Sequence, residues 1–161
     1  MALKSNGTTV FDAGAMASGF GGSMTFIKKL TASGSGTLSF VHGASSVVLD
    51  STYKEYLFVF KDIHSSTDDT ELEMNGSVDT GSNYNVAKTT TYFEAYHNEG
   101  GGTTGVSYST PRDEAQTTGT ATLQSEYGTD NDQCGVGFFQ LFNPSSTTFV
   151  KHFMYHGNQY H

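Results

Sequence analysis

KEYLFVFKDI, residues 54–63, decides the fold reading. Side chains alternate along an extended chain, so Tyr56, Phe58 and Phe60 share one side while Leu57, Val59 and Lys61 share the other. Apolar residues fall on both sides, and the segment is therefore expected to be a central strand covered on both faces. Outward from it, the same period of two recurs in MTFIKKL (24–30) and TLSFV (37–41), and further strands are expected over 70–78, 90–97, 120–125, 136–142 and 147–156. Each is bounded by Gly, Asn, Asp, Ser or Pro clusters, which turn a chain. Residues 138–156 read as a hairpin, with Asn143-Pro144-Ser145-Ser146 as its turn. No stretch of ten residues carries a helical period. Eight or so short strands with frequent turns predict an all-β protein, a β-sandwich of jelly-roll type spanning residues 24–161.

Composition agrees. The 161 residues include 12 Phe and 9 Tyr but no Trp, and only 15% are charged, so a few large rings must build the core while Thr, Ser and Gly supply polarity. Residues 1–23, rich in Gly, Ala and Ser, show apolar residues at no regular period. This stretch is expected to be either disordered or, in preference, an extended N-terminal arm that docks on a neighbour through Val10, Phe11, Met16 and Phe20. The loops are long: Gly100–Gly105 is expected to be the most flexible and Ser109–Thr120 the most polar.

The formal charge is −8, and Arg112 is the one arginine. Phosphate backbones are bound by clustered Lys and Arg, which are missing beyond Lys28-Lys29, so no nucleic-acid partner is expected. No segment has the apolar length of a membrane span, and residues 1–23 lack the apolar run of a signal peptide; a soluble protein made in a cytoplasm is expected. Cys134 is alone and is read as a small, partly buried residue rather than a reactive thiol.

No chemistry-bearing cluster outweighs its plain reading. His152 and His156 share one face of a strand, but at about 13 Å apart they need a bend to share an ion, even with His97 and Glu99 as further ligands; surface or interface histidines are the preferred reading. Asp130-Asn131-Asp132-Gln133 offers hard oxygen ligands without the spacing of an EF-hand loop, and is read as a turn over a calcium site. Asp68, Asp69, Glu71 and Glu73 are read as a solvated acidic edge. No nucleophile elbow and no phosphate-binding loop occurs. No catalytic residue, cofactor site or metal site is assigned, and the chain is expected to be non-enzymatic. Tyr53, Tyr84, Tyr92, Tyr96, Tyr108 and Tyr127 are candidates for stacking on sugar rings if exposed beside Asp or Asn, although Trp, the best such surface, is absent.

The run FIKKLTASGSGTLSFVHGASSVVLDSTYKEYLFVFKDIH (26–64) resembles a recurrent segment of uncharacterised virion-associated proteins of marine tailed phages, especially those of cyanobacteria. The similarity continues through TTTYFEAYHNE (89–99) and LFNPSSTTFVKHF (141–153). That family has no catalytic motif to transfer, so no residue inherits a role. The resemblance implies a structural subunit of a virion assembled in the host cytoplasm, in a tail, fibre or appendage in preference to capsid decoration. The implied partners are further copies of itself in a closed symmetric oligomer, three-fold if a fibre, and other virion proteins reached by the arm. A glycan-binding, host-recognition module is the alternative. Resembling proteins continue into further strands, so the C-terminal strand is expected to leave an edge open to a neighbouring chain.

Overall fold

The computed structural model describes residues 3–12, 15, 16 and 24–160. The chain forms two compact units, Met1–Thr31 and Ala32–His161. In the first, strands β1 (Leu3–Ser5), β2 (Thr8–Asp12) and β3 (Ala15–Met16) pair antiparallel in the order β1-β2-β3. The extended conformation expected for residues 1–23 is thus replaced over Leu3–Asp12 by a hairpin. Its cause is local: Asn6 and Gly7 have φ of 46° and 82°, the positive values that a two-residue hairpin turn requires and that Asn-Gly supplies at least cost. Phe20 lies outside the described residues, as do the side chains of Phe11 and Met16.

The second unit contains β4 (Glu55–Ile63), β5 (Thr70–Met74), β6 (Phe93–His97), β7 (Thr104–Tyr108), β8 (Ala121–Tyr127), β9 (Cys134–Phe142) and β10 (His152–Tyr160). One 3₁₀ turn, Thr110–Arg112, is the only helical element among the described residues. The fold is nearly all-β, as expected. Three antiparallel sheets carry it: β10-β9-β4, β5-β8 and β6-β7. The β9–β10 hairpin runs in unbroken register from Phe142↔His152 to Cys134↔Tyr160. Its connection starts at the expected turn, where Ser146 N–H donates to the Asn143 carbonyl at 3.0 Å.

Several expectations are corrected. Residues 24–30 and 37–41 form no strand, and Met24 and Phe26 are exposed. Phe40 nevertheless contributes to packing, edge-on to Phe58 at 5.2 Å. A period of two in those segments comes without a ladder partner. The strand expected over 70–78 stops at Met74 because the Asn75 side chain leaves the ladder, donating to the Tyr84 and Thr118 carbonyls at 2.8 and 3.1 Å. The glycine-rich loop expected to be most flexible leads directly into β7, which includes Thr104 and Gly105. Finally, β4 is not a central strand: β9 is central, and β4 is an edge with a bulge at Lys61-Asp62, where Asp62 has φ 51°.

Candidate interaction surface

The two faces of the β10-β9-β4 sheet have opposite fates. On the inner face a row of rings runs across the strands. Phe58 meets Phe139 edge-on at 5.6 Å, and Phe139 stacks on Phe153 at 5.4 Å. Phe60 meets Tyr155 at 6.0 Å. Tyr56 is buried and donates its hydroxyl to the Asp50 carbonyl at 3.0 Å. Such edge-to-face and offset pairs suit the ring quadrupole and add to the area they bury.

Glycines shape the rest of this face. Gly137 and Gly157 stand opposite each other on β9 and β10, and a Cβ on either would overlap the Tyr155 ring and hydroxyl. A Cβ on Gly135 would likewise overlap Tyr127. Two tyrosines therefore lie flat over backbone that only glycine leaves free. Their hydroxyls converge on β8: Tyr127 donates to Gln124 Oε1 at 2.8 Å, and Tyr155 donates to the same oxygen. Gln159 Nε2 donates to the Ser125 carbonyl and, at 3.2 Å, to the Glu126 carbonyl. Burial pushes the Tyr155 phenol up to about 12 and raises Tyr127 as well, so both are neutral hydrogen-bond donors at physiological pH.

Beside this cluster, the Arg112 guanidinium lies 5.7 Å from the Tyr92 ring centre and pairs with Glu71 at 2.8 Å and Glu126 at 3.6 Å. Thr122 donates to the other Glu71 oxygen at 2.7 Å. Burial pushes the Glu71 carboxyl up, but the bonds from Arg112 and Thr122 outweigh it and the net shift is downward. Glu71, exposed on β5, is thus also tied to Arg112 and Thr122. Lys88 is buried, its ammonium donating to the Gly119 and Val86 carbonyls, and burial lowers its pKa.

Among the described residues, the outer face has no such cover. Leu57 and Val59 of β4, Val136 and Phe138 of β9, and Met154 of β10 project from it, and all are substantially exposed. Register places them together: Val59, Phe138 and His156 form one row across the sheet, and Leu57, Gln140 and Met154 the next. Val59, Val136 and Phe138 line a shallow, largely apolar depression with Lys61, His156 and Asn158 around it. The second face of β4, expected to be covered, is therefore open.

The residues singled out in the sequence scatter. His152 and His156 lie exposed on this outer face, flanking Met154. His97 belongs to β6, and Glu99 accepts from the Tyr160 hydroxyl at 3.0 Å. Among the described residues, no three His, Cys, Asp or Glu side chains converge as metal ligands. Asp130–Gln133 is a turn closed on itself: Gln133 N–H donates to the Asp130 carbonyl at 3.0 Å, and Asp130 N–H to Gln133 Oε1 at 2.8 Å. Cys134, expected to be partly buried, is exposed at the start of β9. The tyrosines divide. Tyr127 is buried, Tyr92 bonds Ser125 at 3.0 Å, and Tyr53 packs on Tyr56 at 5.9 Å. Tyr84, Tyr96 and Tyr108 are exposed, and Tyr108 donates to Asp113 beside Phe93, its cross-strand neighbour.

No helix among the described residues is long and apolar enough to cross a membrane. No family model, curated protein or solved structure matches the chain.

Proposed function

We propose that the chain is a non-enzymatic structural subunit of a tailed-phage virion, in a tail, fibre or appendage in preference to capsid decoration. The observation that carries the assembly part of this reading is the open apolar face of the β10-β9-β4 sheet. A contiguous cluster of Leu, Val, Phe and Met on a protein of charge −8 is a surface that a partner covers. The phage assignment rests on the resemblance of residues 26–64, 89–99 and 141–153. In this reading β8 and the inner face of the three-stranded sheet are halves of a β-sandwich. Residues 1–23 dock on a neighbouring virion protein, and copies of the chain assemble with closed rotational symmetry.

The test is the protein's presence, position and copy number in purified particles, by mass spectrometry and particle reconstruction. A stoichiometric, symmetric density is expected; a chain found only in infected-cell lysate and never in particles overturns the reading. Deleting residues 1–23 is expected to leave the Ala32–His161 fold intact and to abolish incorporation, and normal incorporation would refute the docking arm.

A second reading, glycan binding, is favoured by one feature: the exposed Tyr108 with Asp113 and Phe93 on the β6–β7 hairpin. Tyr108→Ala would then abolish binding on a host-glycan array without unfolding the chain.

A further inference from the structure

We infer that the open face of the β10-β9-β4 sheet is covered by a second copy of this chain, stacked sheet on sheet about a two-fold axis running across the strands. This deepens the structural-subunit reading and rests on it. A three-stranded face of nine-residue strands is broad, and the surface complementary to it is another sheet face, packed about 10 Å away. A peptide would add to an edge instead.

Charge identifies the occupant as a second copy. Of the sixteen acidic residues only Glu55 and Asp62 belong to the three strands, and Asp62 falls in the bulge of β4. The face thus carries little of the negative charge that would hold two chains of charge −8 apart. Its ends are also self-complementary. Glu55 and Lys61 share the outer side of β4, about 20 Å apart along the strand. A two-fold axis across the strands reverses β4 and sets Glu55 of one copy over Lys61 of the other, twice. The same operation sets His152, at one end of β10, towards the corner where Tyr160 holds Glu99.

The area suffices. Leu57, Val59, Val136, Phe138 and Met154 are 43–64% exposed. At roughly 150–250 Å² for a large side chain, they offer on the order of 400 Å² of apolar surface. Lys61, Gln140, His152, His156 and Asn158 around them extend this towards the ~800 Å² per partner of a standard interface, with an apolar centre and a polar rim.

Sedimentation of the full chain across 0.1–100 µM (a range spanning about three decades of Kd) tests the inference. The expected result is a dimer or a species built of dimers. Phe138→Asp is expected to weaken self-association by about 30-fold or more while circular dichroism keeps its strand signal. Glu55→Lys is expected to weaken it about tenfold by facing lysine with lysine, and the double variant Glu55→Lys/Lys61→Glu to restore it. A monomer throughout, an oligomer indifferent to Phe138→Asp, or a double variant as weak as the single one overturns the inference. Because incorporation into particles is measured separately, a chain present in virions yet monomeric in solution overturns the two-fold contact alone.

Discussion

Phe138 and Phe139 are neighbours on the same strand, yet one is 54% exposed and the other 6%. The inner face around Phe139 is closed by ring-on-ring packing, by glycine notches for Tyr155 and Tyr127, and by hydrogen bonds that converge on Gln124. The outer face around Phe138 has comparable apolar content and none of these devices. Hydrophobicity alone does not mark a core. Closure also needs an opposing layer whose polar atoms are satisfied, and here β8 supplies it on one side only.

The comparison breaks most directly at these two phenylalanines. Phe139→Ala is expected to lower stability by about 3–5 kcal/mol, because its cavity is lined by rings that cannot collapse. Phe138→Ala, assayed at concentrations where the chain is monomeric, should change it by less than about 0.5 kcal/mol. Urea midpoints for the pair measure both, and similar losses would mean that the outer face is covered from within the chain. Next in size is Gly137→Ala. The new methyl displaces Tyr155 from its seat and is expected to cost about 1–3 kcal/mol, whereas the outward-facing Val136→Ala should cost much less.

Tyr155→Phe sharpens the polar half of the contrast. It removes one donor from Gln124 while Tyr127 keeps the other, so a loss of about 1 kcal/mol is expected. The same hydroxyls predict an alkaline limit. Both folded pKa values are raised, so their contribution is complete below the unfolded value near 10 and is lost at more alkaline pH, for Tyr155 as pH rises through about 12. Unfolding followed by circular dichroism against pH should show this loss, shifted in Tyr155→Phe.

The smallest effect lies away from both faces. Asp79 accepts from Ser77 Oγ at 2.7 Å and from Asn83 at 2.8 and 2.6 Å, which holds its carboxyl at about 2. A lowered folded pKa gives stability present above the unfolded value near 3.8 and lost as pH falls towards 2. Amide shifts of residues 77–83 should report that local opening while the sheet persists.

Much of this architecture was legible in residue order. Alternation located β4, β6, β8 and β9 to within a few residues, and Asn143–Ser146 located the β9–β10 turn. Three signals misled or went unused. Segments 24–30 and 37–41 alternate but find no ladder, since alternation describes side chains and not hydrogen-bond partners. Asn6-Gly7 is a hairpin turn inside a stretch whose composition argues for disorder, because two positive φ values depend on two residues and not on average hydrophobicity. In β7 the apolar signal is reduced to Val106 and Tyr108 beside Gly105, too sparse for a period to register. The interaction surface was half legible: Leu57 and Val59 were placed on a common face, but that face was expected to be buried.

By itself the sequence determined that β4 has two apolar faces, because side-chain direction follows from extended backbone geometry and needs no other part of the chain. Which face would be closed was decided only in three dimensions. That choice required Gly135, Gly137 and Gly157 to align on one side and β8 to arrive there with Gln124 and Ser125 in register for Tyr127, Tyr155 and Gln159. The bonds of Tyr155 to Gln124 and of Gln159 to Ser125 join residues 31 and 34 positions apart, and no local pattern encodes which side of a strand a distant segment will cover.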